Sequence, residues 1–218
     1  MPLVLHYAPV SCSLVPYVAL TEAGAPFEVR VIDFSKGRHL TPEFLGLNPK
    51  HKVPVLIIDG NPLTENVAIL QWIAHRYPVA HLLPPADNPS HFKVVAFLAW
   101  CASGIHPFLT PNLLPHRYCD LPGSEESVRR CAHKMLQEVF GVAETQLAGR
   151  DWFFESFTAA DIYFFWCFRR AKMFNLETSA FANCRAHFDR MTDRPSVRQL
   201  LAFEAQAVQD LASGHSSA

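Results

Sequence analysis

The chain carries little charge and almost no excess of either sign. Its 218 residues include 19 basic and 20 acidic side chains, which is 18% of the total and gives a net charge of −1. Nucleic acids and anionic membranes attract proteins through a surplus of Lys and Arg, so neither is expected as a partner. Intrinsic disorder is also excluded, because half of the residues are hydrophobic and disorder needs low hydrophobicity with high net charge.

Export and membrane-spanning signals are missing from the sequence as well. Residues 1–21 contain no Lys or Arg, and Pro9 and Pro16 interrupt them, so they do not resemble a signal peptide. The uncharged run 94–116 is long enough to span a bilayer. We expect it to be broken by Gly104, His106, Pro107, Pro111 and Pro115. Both stretches are therefore predicted to be core segments, and a cytoplasmic location is expected.

Metal-site and disulfide patterns are lacking among the six cysteines. No pair forms Cys-x-x-Cys and no Cys/His spacing is typical of zinc, so no metal is expected. Four of the cysteines lie in apolar helical patterns and are predicted to be small buried hydrophobes: Cys101, Cys131, Cys167 and Cys184. Cys12 differs from these because it lies at the start of a predicted helix.

Alternating strand and helix patterns fill residues 1–80. The predicted order is β-α-β-α-β-β-α, and the last two strands form a hairpin that turns at Asp59-Gly60-Asn61. Two connections pass through helices and one is a tight turn, so the sheet should be mixed and four-stranded, with helices on its faces. This half of the chain is predicted to be one α/β domain.

Residues 91–210 show only helical periodicity, which predicts an all-α second domain and an α+β protein overall. Residues 81–90 are rich in Pro, Asp and Asn, which is typical of a linker. Within the helical half, Thr158-Ala159-Ala160-Asp161 predicts a capping box at the start of a buried helix. Residues 211–218 are predicted to be a tail.

The motif Ser11-Cys12-Ser13 at the start of the first helix is the most informative one for chemistry. A helix N-terminus offers free N–H groups and partial positive charge, which lower the pKa of a thiol placed there. Alternatively, the hydroxyl of Ser11 or Ser13 donates a hydrogen bond to a bound thiolate. A third possibility is that one Ser caps the helix and Cys12 is inert.

Two further motifs indicate where a peptide-like ligand can bind. Val53-Pro54 precedes the hairpin, and a cis bond there would turn the Val53 N–H and C=O outward, able to pair with an extended peptide. An ordinary trans Pro is the alternative. Thr64-Glu65-Asn66 opens a helix, where Glu65 can meet an ammonium group and Asn66 a carboxylate. The alternative is a plain N-cap.

Together these motifs resemble the cytosolic glutathione transferase superfamily. The resemblance covers nearly the whole chain. It rests on Leu5-His6-Tyr7 with Ser11-Cys12-Ser13, Asn48-Pro49-x-x-Lys52-Val53-Pro54-Val55-Leu56, Leu63-Thr64-Glu65-Asn66-Val67-Ala68-Ile69-Leu70, Phe157-Thr158-Ala159-Ala160-Asp161-Ile162-Tyr163 and Arg194-Pro195-Ser196-Val197. Tyr7 followed by Cys12-Ser13 is most similar to the bacterial cysteine-type (beta) class.

The resemblance implies a thioredoxin-like N-terminal domain, an all-helical C-terminal domain and a homodimer. It also implies a cytoplasmic detoxification enzyme that uses glutathione as co-substrate against a small hydrophobic electrophile. By the same resemblance, Cys12, Ser13, Ser11 and Tyr7 are the candidates for activating the thiol. The glutathione-binding residues that it implies are Lys52, Val53, Pro54, Glu65, Asn66, His51 and His106.

Two positions depart from the superfamily pattern. Superfamily members commonly have Ser where this chain has Asn66, and Gly where it has His51. Asn66 can still cap the helix and bind a carboxylate. His51 can either crowd the glycyl end of glutathione or contact its carboxylate.

Three functional hypotheses follow from these patterns. The leading one is a glutathione transferase. A second is a glutathione-dependent thiol–disulfide reductase or dehalogenase that uses Cys12, with Val15 where a resolving thiol would stand. A third is a non-enzymatic interaction or dimerisation protein with the same fold, since a fold alone does not determine function.

Overall fold

We describe residues 3–213 of the protein from a computed structural model. The chain forms two units. The first comprises the residues up to Leu83 together with those from Asp193 onward, and the second is Pro84–Thr192. The sequence places the candidate site in the first unit, apart from His106.

A four-stranded mixed sheet forms the centre of the first unit, as the sequence predicts. The strands are β1 (Leu3–Tyr7), β2 (Phe27–Val31), β3 (Val55–Ile58) and β4 (Asn61–Thr64). Their order is β2-β1-β3-β4. β1 and β2 are parallel, whereas β1–β3 and β3–β4 are antiparallel. The predicted order of strands and helices in this part of the chain is confirmed, and so is its thioredoxin-like class.

Among the described residues, four α-helices complete the first unit: α1 (Leu14–Glu22), α2 (Pro42–Leu47), α3 (Asn66–Arg76) and the C-terminal helix, α9 (Pro195–Ser213). α2 begins as its sequence predicts, with the Thr41 hydroxyl accepting a hydrogen bond from the Phe44 N–H. α9 packs on α1. It also extends through residues 211–213 of the predicted tail, and residues 214–218 lie outside the described residues.

Two apolar layers hold the sheet of the first unit. On one face, Phe44 of α2 packs with Ala8, Val53 and Val55. Elsewhere in the unit an aromatic cluster forms, in which Tyr7 and Tyr17 pack against each other and against Phe203 of α9. These layers fix the end of β1, and the segment that carries Cys12 follows directly from it.

Five helices form the second unit: α4 (Ser90–Trp100), α5 (His106–Leu113), α6 (Glu125–Gln146), α7 (Ala159–Met173) and α8 (Ala182–Asp193). α7 is buried along most of its length. The predicted capping box at its start is confirmed, since Asp161 Oδ2 accepts from the Thr158 N–H at 2.8 Å and Thr158 Oγ1 accepts from the Ala160 N–H at 3.3 Å. The all-helical prediction for this part of the chain is correct.

The apolar segment 94–116 is not broken at Gly104, His106, Pro107 or Pro111, and its helical run ends only before Pro115. α4 continues through a π-helical turn, Cys101–Ile105, into α5, which gives one helical run Ser90–Leu113 of 24 residues. Pro107 directly follows this turn, where the hydrogen bonds already depart from the α-helical pattern, since the His106 N–H bonds to the Cys101 oxygen five residues back. By length and composition this run is able to cross a membrane, but core helices of globular proteins meet the same criterion. Its composition is therefore weak evidence for a span.

Two side chains of α6 lie opposite to their predicted positions. Cys131 is exposed rather than buried. The helical periodicity also predicts Met135 on the inward face of α6, but it is 37% exposed. The buried face of α6 consists instead of Ala132, Leu136, Phe140 and Ala143. Both errors arise because a Cys or a Met at the margin of an apolar stripe does not reveal which way the helix is rotated. Cys101, Cys167 and Cys184 are buried, as predicted.

Candidate active site

Cys12 lies in the loop between β1 and α1, two residues before the helix begins at Leu14. Its Sγ donates a hydrogen bond to the main-chain oxygen of Val53, with the two atoms 3.5 Å apart. Cys12 as a whole residue is partly exposed, but protein surrounds its sulfur closely enough for burial to govern its ionisation. The structure thus brings together two residues that are 41 positions apart and that the sequence assigns to the same site.

The thiol of Cys12 is not activated in the way that the sequence predicts. Burial raises its pKa from 9.0 to about 12 and outweighs the opposing effects of the Cys12 backbone and the Asn66 side chain. Of the alternatives that the sequence leaves open, the structure therefore contradicts the lowered pKa, because the loss of solvent around the sulfur is the largest contribution. At neutral pH the Cys12 thiol is protonated and acts as a hydrogen-bond donor.

Ser11 and Ser13 tie the Cys12 loop to the end of β1. Ser13 is fully buried, and its hydroxyl accepts from the Ala8 N–H at 3.0 Å. The two hydroxyl oxygens lie 2.6 Å apart, and Ser11 Oγ donates to the Ala8 oxygen at 2.8 Å. Both hydroxyls are thus engaged in closing the loop, which gives them a structural role.

Tyr7, the last residue of β1, is fully buried. Its hydroxyl donates a hydrogen bond to the Glu204 carboxylate of α9 at 2.8 Å. The phenol is therefore engaged with α9, and the structure gives Tyr7 a packing role.

The Val53-Pro54 peptide bond is cis. It lies directly before β3, and the loop ahead of it is held by Asn48, whose Nδ2 donates to the Lys52 oxygen at 2.6 Å. Val53 is nearly buried. The cis geometry expected for a peptide-binding edge is therefore present at Pro54.

Glu65 is exposed and precedes the first residue of α3. Its φ of 72° lies in the left-handed region, which is uncommon for a non-glycine residue and concentrates at functional sites. The carboxylate pairs with the ammonium group of Lys50, which also donates to the Thr64 hydroxyl at 3.0 Å. Glu65 therefore presents a negative charge at the N-terminus of α3.

Asn66, the first residue of α3, is only 5% exposed and contacts the Cys12 loop directly. Its Nδ2 donates to the Cys12 main-chain oxygen at 3.1 Å. Its Oδ1 is buried, and no described residue donates a hydrogen bond to it. The amide nitrogen carries a second N–H, so the side chain retains a donor, and its buried oxygen adds an acceptor. The first main-chain N–H groups of α3 are further donors for a carboxylate at this position.

His51 and Lys52 border the same region and are both exposed. The backbone of His51 has a φ of 48°, which accounts for the Gly that the superfamily commonly has at this position. The His51 ring lies 6.4 Å from the ring of His39. The charge of Lys52 favours the thiolate form of Cys12, although this contribution is small.

His106, the first residue of α5, lies in the second unit. Its Nδ1 is 3.2 Å from the Tyr163 hydroxyl, and its ring is 4.4 Å from the ring of Trp166. It thus belongs to an aromatic cluster of that unit. A role of His106 beside Cys12 stays a prediction of the resemblance.

Two residues of the first unit were missed by sequence reasoning. Lys50 pairs with Glu65, and Glu204 accepts hydrogen bonds from Tyr7 and from the Val10 N–H. Lys50 directly follows Pro49, and its basic side chain is a local signal for a partner of the Glu65 carboxylate. No local pattern marks Glu204, because its partners lie almost 200 residues away.

The first unit therefore combines three groups of complementary chemistry. The neutral thiol of Cys12 donates to the main-chain carbonyl of Val53, beside the cis bond to Pro54. The carboxylate of Glu65 lies at the start of α3. The buried amide oxygen of Asn66 accepts no hydrogen bond from a described residue. Such an arrangement suits a short zwitterionic peptide that carries a sulfur. Within residues 3–213, no group of three or more His, Cys, Asp or Glu side chains is placed to hold a metal ion.

Comparison with family models gives two matches. Residues 3–75 match the glutathione S-transferase N-terminal domain, and residues 123–190 match the glutathione S-transferase C-terminal domain. Together these segments cover more than half of the chain.

Comparison with individual proteins agrees with the family models. The chain is 33% identical over 204 residues to glutathione S-transferase GstA of Escherichia coli O157:H7, which covers 92% of this chain and 98% of that protein. The bacterial beta-class glutathione S-transferase of Sphingomonas chungbukensis superposes with a TM-score of 0.82 at 31% identity, over 92% of this chain and 98% of that one. A glutathione transferase homologue from Sulfitobacter, solved with bound glutathione, gives a TM-score of 0.85 at 25% identity, over 92% and 97% of the two chains.

Proposed function

The chain belongs to the glutathione S-transferase family and is a glutathione transferase, and from that premise we propose that the residues around Cys12 bind glutathione and direct its thiol at small hydrophobic electrophiles. The observation that carries this proposal is the contact of Cys12 Sγ with the Val53 oxygen, 3.5 Å away and beside the cis bond to Pro54.

The cysteinyl unit of glutathione would pair with the main chain of Val53. An extended peptide binds a strand edge through paired N–H and C=O groups. The carbonyl of Val53 accepts from the Cys12 thiol, so an incoming N–H would compete for that oxygen. Cys12 would then be able to donate its hydrogen bond to the sulfur of glutathione.

The γ-glutamyl end of glutathione would lie at the start of α3. Glu65 supplies the negative charge for its ammonium group, and the free N–H groups of the helix would meet its carboxylate. The buried Oδ1 of Asn66 supplies an acceptor for a ligand N–H. The glycyl carboxylate would lie toward His51 and Lys52, whose exposed side chains can donate to it.

Cys12 would act as a thiol that stabilises a glutathione thiolate, rather than as a thiolate itself. Because its pKa is raised to about 12 by burial, it keeps its proton at neutral pH and can donate it in a hydrogen bond. A donor placed beside a developing anion lowers the energy of that anion. This property disfavours the thiol–disulfide reductase hypothesis, which requires the Cys12 thiolate as nucleophile.

The second substrate would be a small hydrophobic electrophile, as the family resemblance implies. We further propose a cytoplasmic homodimer, as the family resemblance implies. Light scattering on the purified protein tests the dimer.

The experiment that tests the function is turnover of 1-chloro-2,4-dinitrobenzene with glutathione, combined with retention on immobilised glutathione. The wild-type protein should bind the resin, elute with free glutathione and catalyse conjugation. A folded protein that neither binds millimolar glutathione nor conjugates the substrate contradicts the proposal and favours a non-enzymatic role. Intact mass then identifies the reductase alternative, which requires a glutathione adduct on Cys12 during turnover.

A further inference from the structure

The C-terminal helix, α9, supplies a buried carboxylate to the loop that carries Cys12. Glu204 is 5% exposed. Its Oε2 accepts the Val10 N–H at 2.7 Å and the Tyr7 hydroxyl at 2.8 Å. One oxygen therefore holds both the last residue of β1 and the residue two positions before Cys12.

Val10 occupies a backbone conformation that needs such support. Its φ is 65°, in the left-handed region, where a β-branched residue is rare. Conformations of this kind are strained and persist only where the surroundings determine them. The hydrogen bond from the Val10 N–H to Glu204 Oε2 supplies such a constraint.

The other side of the loop is held independently. Ser11 and Ser13 bond to each other and to Ala8. Their contacts close the loop toward β1, whereas Glu204 holds it toward α9. Cys12 lies between Ser11 and Ser13 and two residues after Val10, so both sets of contacts flank it. Its Sγ donates to the Val53 oxygen.

A carboxyl side chain is a costly group to bury for packing alone. Burying a polar group costs free energy unless it is hydrogen-bonded, and an apolar side chain would fill the same space without that cost. The neighbouring Phe203 already provides the apolar contact, since its ring lies against Tyr7 and Tyr17. A role in setting the geometry of the loop accounts for a hydrogen-bond acceptor at position 204.

We propose that Glu204 is a positioning residue of the active site: by accepting the Val10 N–H, it sets the backbone of the Cys12 loop and thereby the place of the thiol beside Val53. The proposal rests on the proposed function only for the action of Cys12 on glutathione. The effect of Glu204 on the position of the Cys12 thiol does not depend on that function.

The test compares three variants with the wild type. Glu204→Met removes the acceptor and keeps most of the volume, and Glu204→Gln keeps an acceptor oxygen without the charge. Asp210→Ala is the matched control, because it removes another carboxylate of α9, one that is bonded to Gln206 and not to the loop. Circular dichroism and thermal unfolding first establish that each variant is folded.

The first readout does not depend on glutathione. Limited alkylation with iodoacetamide, followed by peptide mass spectrometry, gives the rate at Cys12 relative to that at the exposed Cys131. Release of the loop exposes the thiol, so the ratio should rise about threefold or more in Glu204→Met. It should stay at the wild-type value in Glu204→Gln and Asp210→Ala. A folded Glu204→Met protein with an unchanged ratio overturns the proposal, and so does a Glu204→Gln protein with a raised ratio.

The second readout is conjugation kinetics. Glu204→Met should lower kcat by about tenfold, because small misplacements at a reacting centre have effects of that size or more. The KM for glutathione should change less than about twofold, since Val53 and Glu65 are untouched. An unchanged kcat overturns the positioning role. If the wild type shows no conjugation at all, the proposed function fails, while the alkylation ratio still decides the role of Glu204.

Discussion

The thiol of Cys12 donates its hydrogen bond to the main-chain oxygen of Val53, 3.5 Å away. Val53 is joined to Pro54 by a cis bond, so the carbonyl that receives the thiol belongs to the segment that we propose pairs with glutathione. In that proposal the thiol and the ligand would compete for one acceptor, and the Cys12 sulfur would lie beside the sulfur of glutathione.

The ionisation of Cys12 should occur far above neutral pH. Burial raises its pKa from 9.0 to about 12, and a raised pKa in an acid means that the proton is retained to higher pH. The absorbance at 240 nm of the wild type, minus that of Cys12→Ala, should stay flat up to about pH 9 and rise only above it. A step in this difference at or below neutral pH would show a thiolate and contradict the assigned donor role.

Loss of the Asn66 side chain should weaken both the loop and the binding of glutathione. Asn66→Ala removes the hydrogen bond to the Cys12 oxygen, and we expect the free energy of unfolding to fall by about 1 kcal/mol. The KM for glutathione should rise about threefold to tenfold, because an acceptor for the ligand is lost as well. Denaturant titration and steady-state kinetics measure the two effects.

The control for Asn66 lies on the same helix. Gln71→Ala also removes an amide, but its Nε2 bonds to Val67 of its own helix. The KM for glutathione should therefore stay at the wild-type value in this variant. Equal effects of the two substitutions on KM would argue against a contact between Asn66 and the ligand.

Glu65 should act on binding and not on stability. Its carboxylate is exposed and pairs with Lys50, and exposed ion pairs contribute about 0–1 kcal/mol. Glu65→Gln removes the charge proposed to meet the ligand ammonium group, so the KM for glutathione should rise about tenfold with a similar kcat. Glu43→Gln, an exposed acid on α2, is the control and should leave KM unchanged. A Glu65→Gln protein with wild-type KM would exclude this contact.

Ser13 should matter for folding. Its buried hydroxyl accepts from the Ala8 N–H, and Ser13→Ala leaves that donor without its partner, at a cost of about 1–3 kcal/mol in unfolding free energy. Ser103→Ala is the control, because that exposed hydroxyl bonds only to Ala99 of its own helical run. Thermal or denaturant unfolding tests the difference. A Ser13→Ala protein with wild-type stability but no conjugation activity would instead assign Ser13 a catalytic role.

Much of the fold is predictable from local patterns. The strand β1, the hairpin, the Thr41 cap and the capping box at Thr158 all follow from residue types within a few positions of one another. The cis bond at Pro54 agrees with the family resemblance rather than with local preference, since X–Pro bonds are mostly trans.

Features that depend on burial or on distant contacts are not predictable in this way. The raised pKa of Cys12 is one such feature, because the position of a residue before a helix does not reveal how much protein surrounds its sulfur. The exposure of Cys131 depends on the rotation of α6. The contacts of Glu204 join residues 197 and 194 positions apart, so only the folded chain brings them together.

The most direct test of the central claim is a crystal structure of the protein soaked with glutathione. The account predicts that the cysteinyl main chain pairs with Val53, that the γ-glutamyl end lies at Glu65 and the first N–H groups of α3, and that the sulfur lies within hydrogen-bonding distance of Cys12 Sγ. Glutathione bound elsewhere, or with its sulfur directed away from Cys12, would contradict the account.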